Sequence, residues 1–257
     1  LPAAFARFIE ALRKAVINAV STQARGFIKN FRLRSMIDCF VSRWITALEF
    51  VSANPTIVKS IKQRDLLNTW LRLYARAQLL PRIEEYQPSR IGEELPDLVF
   101  FTVENTQPPR LIIDSDGTRL SIVYGNRGKG RYLEEYLGAR LVPLVMPIYH
   151  ECLKRMLPVY SVSNVDDSYG RIVAYERLLM PFSDGDGVTH VIASLKTFCE
   201  DGGFEIRNLM RGNDSLPTQK LRAVIDHDLF HRAPGRIPAS DVIEFSDRPH
   251  ETTIELI

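Results

Sequence analysis

The chain has 257 residues, 45% apolar and 25% charged, with 33 Lys/Arg against 31 Asp/Glu for a formal charge of +2. That balance is ordinary for a folded globular protein and gives no electrostatic case for a nucleic-acid or lipid surface. No run of about eighteen uncharged apolar residues is present to span a membrane, and three scattered cysteines, Cys39, Cys152 and Cys199, make neither a disulfide framework nor a zinc-binding pair. A reducing, cytoplasmic compartment is therefore the expectation.

Residues 1–64 read as a helical block. Phe5, Phe8, Ile9, Leu12, Val16 and Ala19 follow the spacing of an amphipathic helix. A second helix is expected from Ser35, an N-cap residue, to about Ser52, where Asn54-Pro55 breaks it. The first sixty residues hold nine Lys/Arg against three Asp/Glu, the bias of a solvated helix surface. A third helix covers Asp65 to Gln78, with Leu66, Leu67, Trp70, Leu73, Tyr74 and Ala77 as its apolar positions.

From Glu94 the period shortens. Leu98–Val103, Arg110–Asp114 and Arg119–Tyr124 read as strands, separated by Pro108-Pro109 and by Ser115-Asp-Gly117. A helical turn near Tyr132–Leu137 ends at Gly138, and Pro143 to Leu157 is the long helix of this half. Val159–Val165 follows as a strand, and Asp166–Gly170 turns the chain into the clearest hairpin of the sequence. There Arg171, Val173, Tyr175 and Arg177 alternate with Ile172, Ala174, Glu176 and Leu178, the pattern of a strand with two distinct faces. Pro181 is expected to stop the ladder, Ser183–Gly187 to make the turn, and His190–Phe198 to return. Beyond Glu200 the periodicity fades, so 201–257 is read as an irregular extension with a final strand at Thr252–Ile257.

This order describes an α+β domain with helices gathered on one face of its sheet. With the strings DLLNTWLRLYARAQLLPRIEEYQP (Asp65–Pro88), ELPDLVFFTVE (Glu94–Glu104), RLSIVYG (Arg119–Gly125), YLGARL (Tyr136–Leu141) and YERLLMPFSDGDGVTHVIASLKTF (Tyr175–Phe198), residues 65–200 resemble a PAS domain of the bacterial PAS_5 family. The resemblance implies a five-stranded antiparallel sheet covered by the Pro143–Leu157 helix, enclosing a small molecule or merely a hydrophobic core. It also implies a non-enzymatic sensory or regulatory module that signals through its N-terminal helices to a protein partner. Residues 1–64 would supply a homodimer contact or pack on the sheet.

Several constellations bear on chemistry. The GNRGKGR loop (Gly125–Arg131) carries glycines and cations but not the GxxxxGK[ST] spacing, and is read as a solvated loop. His150, on the long helix, lies opposite the stripe Leu141, Leu144, Val145, Ile148 and Cys152, so no haem ligation is expected. The cysteine motif of flavin-binding PAS domains is absent, and Cys152 reads as inert packing. His227 and His231 in HDLFH stand four residues apart, and a metal-dependent hydrolase resting on them is a minor alternative. An interaction adaptor with a self-filled core is the larger alternative.

Glu176 and Arg177 point to opposite faces of one apolar strand, and a charge buried there needs a partner or a polar ligand. A structural ion pair is the expectation, with ligand contact second. The candidate ligand-facing set is Tyr124, Ile148, Cys152, Tyr160, Tyr175 and Arg177. No catalytic, cofactor or metal-ligating residue is assigned.

Overall fold

The computed structural model describes residues 49–77, 79–211 and 216–226. The first N-terminal helix, most of the second, the HDLFH segment and the Thr252–Ile257 strand lie outside the described residues. Within them the chain runs through β1 (Val51–Ala53), α1 (Ile61–Ala77), α2 (Ile91–Glu94), β2 (Leu98–Glu104) and β3 (Arg110–Asp116). It continues with α3 (Thr118–Tyr124), α4 (Leu133–Arg155), β4 (Val159–Asp166), β5 (Ile172–Phe182), β6 (His190–Phe198) and β7 (Thr218–Ile225).

These strands form one sheet in the order β1-β7-β4-β5-β6-β2-β3. Every neighbouring pair is antiparallel except β1 with β7, which run parallel. The α+β class and the antiparallel body stand as the sequence suggests. The structure adds two strands and a second helical cover: α3 and α4 pack on one face, α1 on the other. Thr218–Ile225, expected to be irregular, lies inside the sheet between β1 and β4. Val51–Ala53, expected as the end of a helix, is the strand that pairs with it.

The two covers follow from the alternation within β5. Val173, Tyr175 and Leu179 face α4 and join its large cluster, while Leu178, Met180 and Phe182 face α1. Helix α1 presents Leu66, Leu67 and Trp70 along one stripe, all buried. Trp70 Nε1 donates to the Pro181 carbonyl at 2.7 Å, and the Tyr86 hydroxyl donates to the Leu66 carbonyl at 3.0 Å.

Pro181 does not end the ladder as expected; β5 runs through it to Phe182. The Phe182 carbonyl accepts from Thr189 on the β6 side at 2.9 Å. Alternation therefore turns the backbone of Pro181 the other way, where β4 has already ended at the Val159–Leu179 pair. A missing N–H costs nothing on a side with no strand to receive it.

Arg119–Tyr124, expected as a strand, lies in helix α3. Leu120, Val123 and Tyr124 are buried at the i, i+3, i+4 positions of that helix. A six-residue apolar run satisfies either period, and the backbone before it decides. Gly117 is the N-cap of that helix and packs so tightly that a Cβ there would lie 2.2 Å from the Pro96 carbonyl oxygen, so only glycine fits where the helix begins. Gly138 breaks α4 with φ 72° and ψ 166°, as the sequence suggests, and the long arm beyond it ends with Met156 in the left-handed region.

Candidate functional site

The face of the sheet beneath α4 carries a cross-strand row that joins four strands. Leu195 on β6 pairs with Arg177 on β5, Arg177 with Ser161 on β4, and Ser161 with Arg222 on β7. Directly paired residues point to the same side, so two guanidiniums flank one hydroxyl across two strand spacings, roughly 10 Å. Both arginines are buried, at 2% and 1% exposure.

Neither arginine meets a carboxylate within ion-pair distance among the described residues. Arg177 has its guanidinium carbon 5.4 Å from the Tyr175 ring centre and 5.7 Å from that of Tyr149. Burial works to lower its pKa, but Tyr149, Tyr175 and Tyr124, with side-chain hydrogen bonds to Tyr124 and Tyr149, outweigh it and hold the guanidinium above the usual arginine range. Its Nε has no hydrogen-bond partner among the described residues, nor do the Arg222 Nε and Ser161 Oγ. One Arg222 nitrogen donates to the Leu144 carbonyl at 3.3 Å, tying β7 to α4. Burial first, and then the neighbouring Arg177 charge, hold the Arg222 guanidinium below the usual arginine range. Burial pushes the Tyr149 and Tyr175 hydroxyls well above the usual range, so neither supplies a negative charge at neutral pH.

Arg177 lines a cavity of about 10 Å³ between the sheet, α3 and α4, together with Tyr124, Tyr149, Tyr175 and apolar neighbours such as Phe101 and Leu195. That volume admits one water-sized body. Of the six residues the sequence proposes, Tyr124, Tyr175 and Arg177 meet here. Ile148 and Cys152 are buried in the same cluster without reaching the cavity. Tyr160 lies on the opposite face, packed under α1, with its hydroxyl 3.4 Å from the Lys59 amide. The expected ion pair for Arg177 is replaced by aromatic rings.

Sequence reasoning missed Tyr149, Ser161 and Arg222. Tyr149 had a signal: it stands four residues after Val145 and widens the buried stripe of α4. Arg222 had a weaker one, the alternation of Leu221, Ala223 and Ile225 around it.

The opposite face treats its charges differently. Lys196, on β6, contacts Glu94 at 2.5 Å and also Asp97. Lys62 reaches Glu94 at 3.0 Å, and Arg119, from α3 on the other face, reaches Asp97 at 3.0 Å. Burial works to raise the Glu94 carboxyl, but Lys196 and Lys62 outweigh it and hold it below the ordinary carboxylate range. Cations there are matched, which sets the arginine row apart.

The remaining sequence candidates fall away from this row. Within Gly125–Arg131, the Gly128 amide donates to Asp116 at 3.0 Å, and Ser121 donates to the same carboxylate at 2.7 Å. That loop amide is engaged by a carboxylate rather than presented to a phosphate. His150 is half-buried, and desolvation lowers its pKa from the ordinary histidine value. Cys152 is fully buried, and desolvation pushes its thiol up.

A predominantly antiparallel sheet clasped by a long helix, with polar groups buried beneath that helix, defines an α+β domain. The chain matches the PAS_5 family of PAS domains over residues 58–195, more than half its length, and belongs to that family. No curated protein matches the chain. Among the described residues no helix is long and apolar enough to cross a membrane.

Proposed function

We propose that this protein is a non-enzymatic sensory or regulatory module that binds a small molecule between its sheet and α4. The observation that carries the reading is Arg177, a buried cation facing a small aromatic-lined cavity with no carboxylate partner among the described residues. A buried charge left this way is costly in a core that serves packing alone. Membership of the PAS family supports the regulatory reading. Binding would shift α4 against the sheet, and the change would pass through residues 1–64 to a homodimer partner and a downstream protein. No resident haem or flavin enters this proposal, and an absorbance scan of the purified protein tests that point.

Native mass spectrometry tests the central claim. A small molecule retained by the folded protein, and lost on denaturation, is the expected result. A protein of bare chain mass, unaffected in thermal stability by a metabolite library, would overturn it.

A second reading draws on the cavity's size. Room for one water-sized body is also what a self-filled core leaves, and the module would then be an adaptor that docks a protein on an outer surface. That reading predicts no ligand and no ligand-induced stabilisation.

A further inference from the structure

We infer that Arg177, where it lines the cavity beneath α4, is a binding site for a compact anion, a halide or a one-carbon carboxylate. The inference rests on the ligand-binding reading above and gives that ligand its chemistry. Three observations carry it. Two guanidiniums lie buried on one face of the sheet, one strand apart on either side of Ser161. A nitrogen of each guanidinium and the serine oxygen lack hydrogen-bond partners among the described residues. Arg177 lines the cavity itself.

Arginine does not solve the problem by losing its proton at neutral pH. Tyr149 and Tyr175 contribute ring faces and neutral hydroxyls, which soften a cation's burial without cancelling its charge. An anion cancels it, and the planar guanidinium fork offers parallel donors suited to a carboxylate.

Size narrows the class. A cavity of about 10 Å³ excludes a bulky ligand unless α4 moves away from the sheet. A halide or formate requires the least displacement. Val145 and Tyr149 of α4 line the cavity, so filling it would bear on that helix's position.

The test uses the full chain at constant ionic strength, with sodium chloride or sodium formate replacing sodium gluconate. The expected result is a melting temperature raised by roughly 5–10 °C when the anion reaches a hundredfold excess over its Kd. Arg177→Met should abolish that response, while the unresponsive variant keeps the wild-type fold by circular dichroism in gluconate. Arg222→Met should weaken the response by about tenfold in apparent Kd. Line broadening of ³⁵Cl by wild-type protein provides a readout that needs no folded variant.

No response of the wild type to either anion, by melting or by line width, overturns the inference. So does a strongly destabilised Arg177→Met in gluconate alongside an unresponsive wild type, which would mean that a chain carboxylate already pairs the arginine. If native mass spectrometry finds a neutral ligand while both anions fail, the anion site falls and the sensor reading stands. If it finds none and both anions fail, both fall.

Discussion

Trp70→Phe tests whether α1 is an integral cover of the sheet. The indole is fully buried, stacks on Tyr74 with ring centres 5.0 Å apart, and donates to the Pro181 carbonyl at 2.7 Å. Phenylalanine keeps most of the ring but removes the donor. The Pro181 carbonyl then points where β4 has ended, with no strand to replace the indole. Leaving a buried carbonyl unpaired costs about 1–3 kcal/mol. The smaller ring adds about 1 kcal/mol for lost contact and residual space. The total, about 2–4 kcal/mol, corresponds to a fall in melting temperature of roughly 5–15 °C for a domain of this size. Urea unfolding followed by far-ultraviolet circular dichroism would read it as a lower midpoint with an unchanged slope. A loss below about 0.5 kcal/mol would refute the reasoning, because it would show α1 undocked or the carbonyl satisfied by another group.

Other predictions address the turns and the buried thiols. Asp167 accepts hydrogen bonds from the amides of Tyr169, Arg171 and Glu205 and from the Arg171 guanidinium. Burial works to raise its pKa, but those donors prevail and bring it from 3.8 to about 2. Its contribution to stability is therefore complete above about pH 4 and is lost as pH falls towards 2. Melting temperature against pH should show that decline in wild type and a shallower one in Asp167→Asn; parallel curves would count against it. Gly117→Ala should destabilise by roughly 3 kcal/mol, since its Cβ meets the Pro96 backbone. Gly130→Ala, with open space around it and φ +78°, should cost only about 1–2 kcal/mol. Equal losses by chemical denaturation would contradict the packing of Gly117. Cys152, buried with its thiol pushed up, should resist iodoacetamide at pH 8 in native protein and react fully in urea. Peptide mapping would detect native labelling, the outcome that opposes the assignment.

The α+β class and the hairpin from β5 to β6 were legible because alternation there is long and its turn residues are distinctive. The same alternation places Glu176 and Arg177 on opposite faces. Within the candidate site, Tyr175 and Arg177 are two residues apart on one strand, so their shared face follows from local period alone. Tyr160 shows where that reasoning stops. Its own strand, with Val159, Ser161 and Ser163 on one side and Tyr160 and Val162 on the other, has a period but no indication of which side meets α4. Pairing of Ser161 with Arg177 decides it, and a shift of one residue would reverse it.

Local sequence thus determined the periods, the turns and the relative facing of residues within a strand, because those depend on neighbours a few bonds away. Tertiary structure decided that Arg119–Tyr124 is a helix, since the packing of Gly117 lies outside the run itself. It decided that Thr218–Ile225 enters the sheet, and so that Arg222 stands beside Ser161 and across from Arg177. That juxtaposition joins residues more than forty positions apart through backbone register. No pattern within either strand encodes it, because the hydrogen-bond ladder fixes it only when the two strands meet on opposite sides of β4.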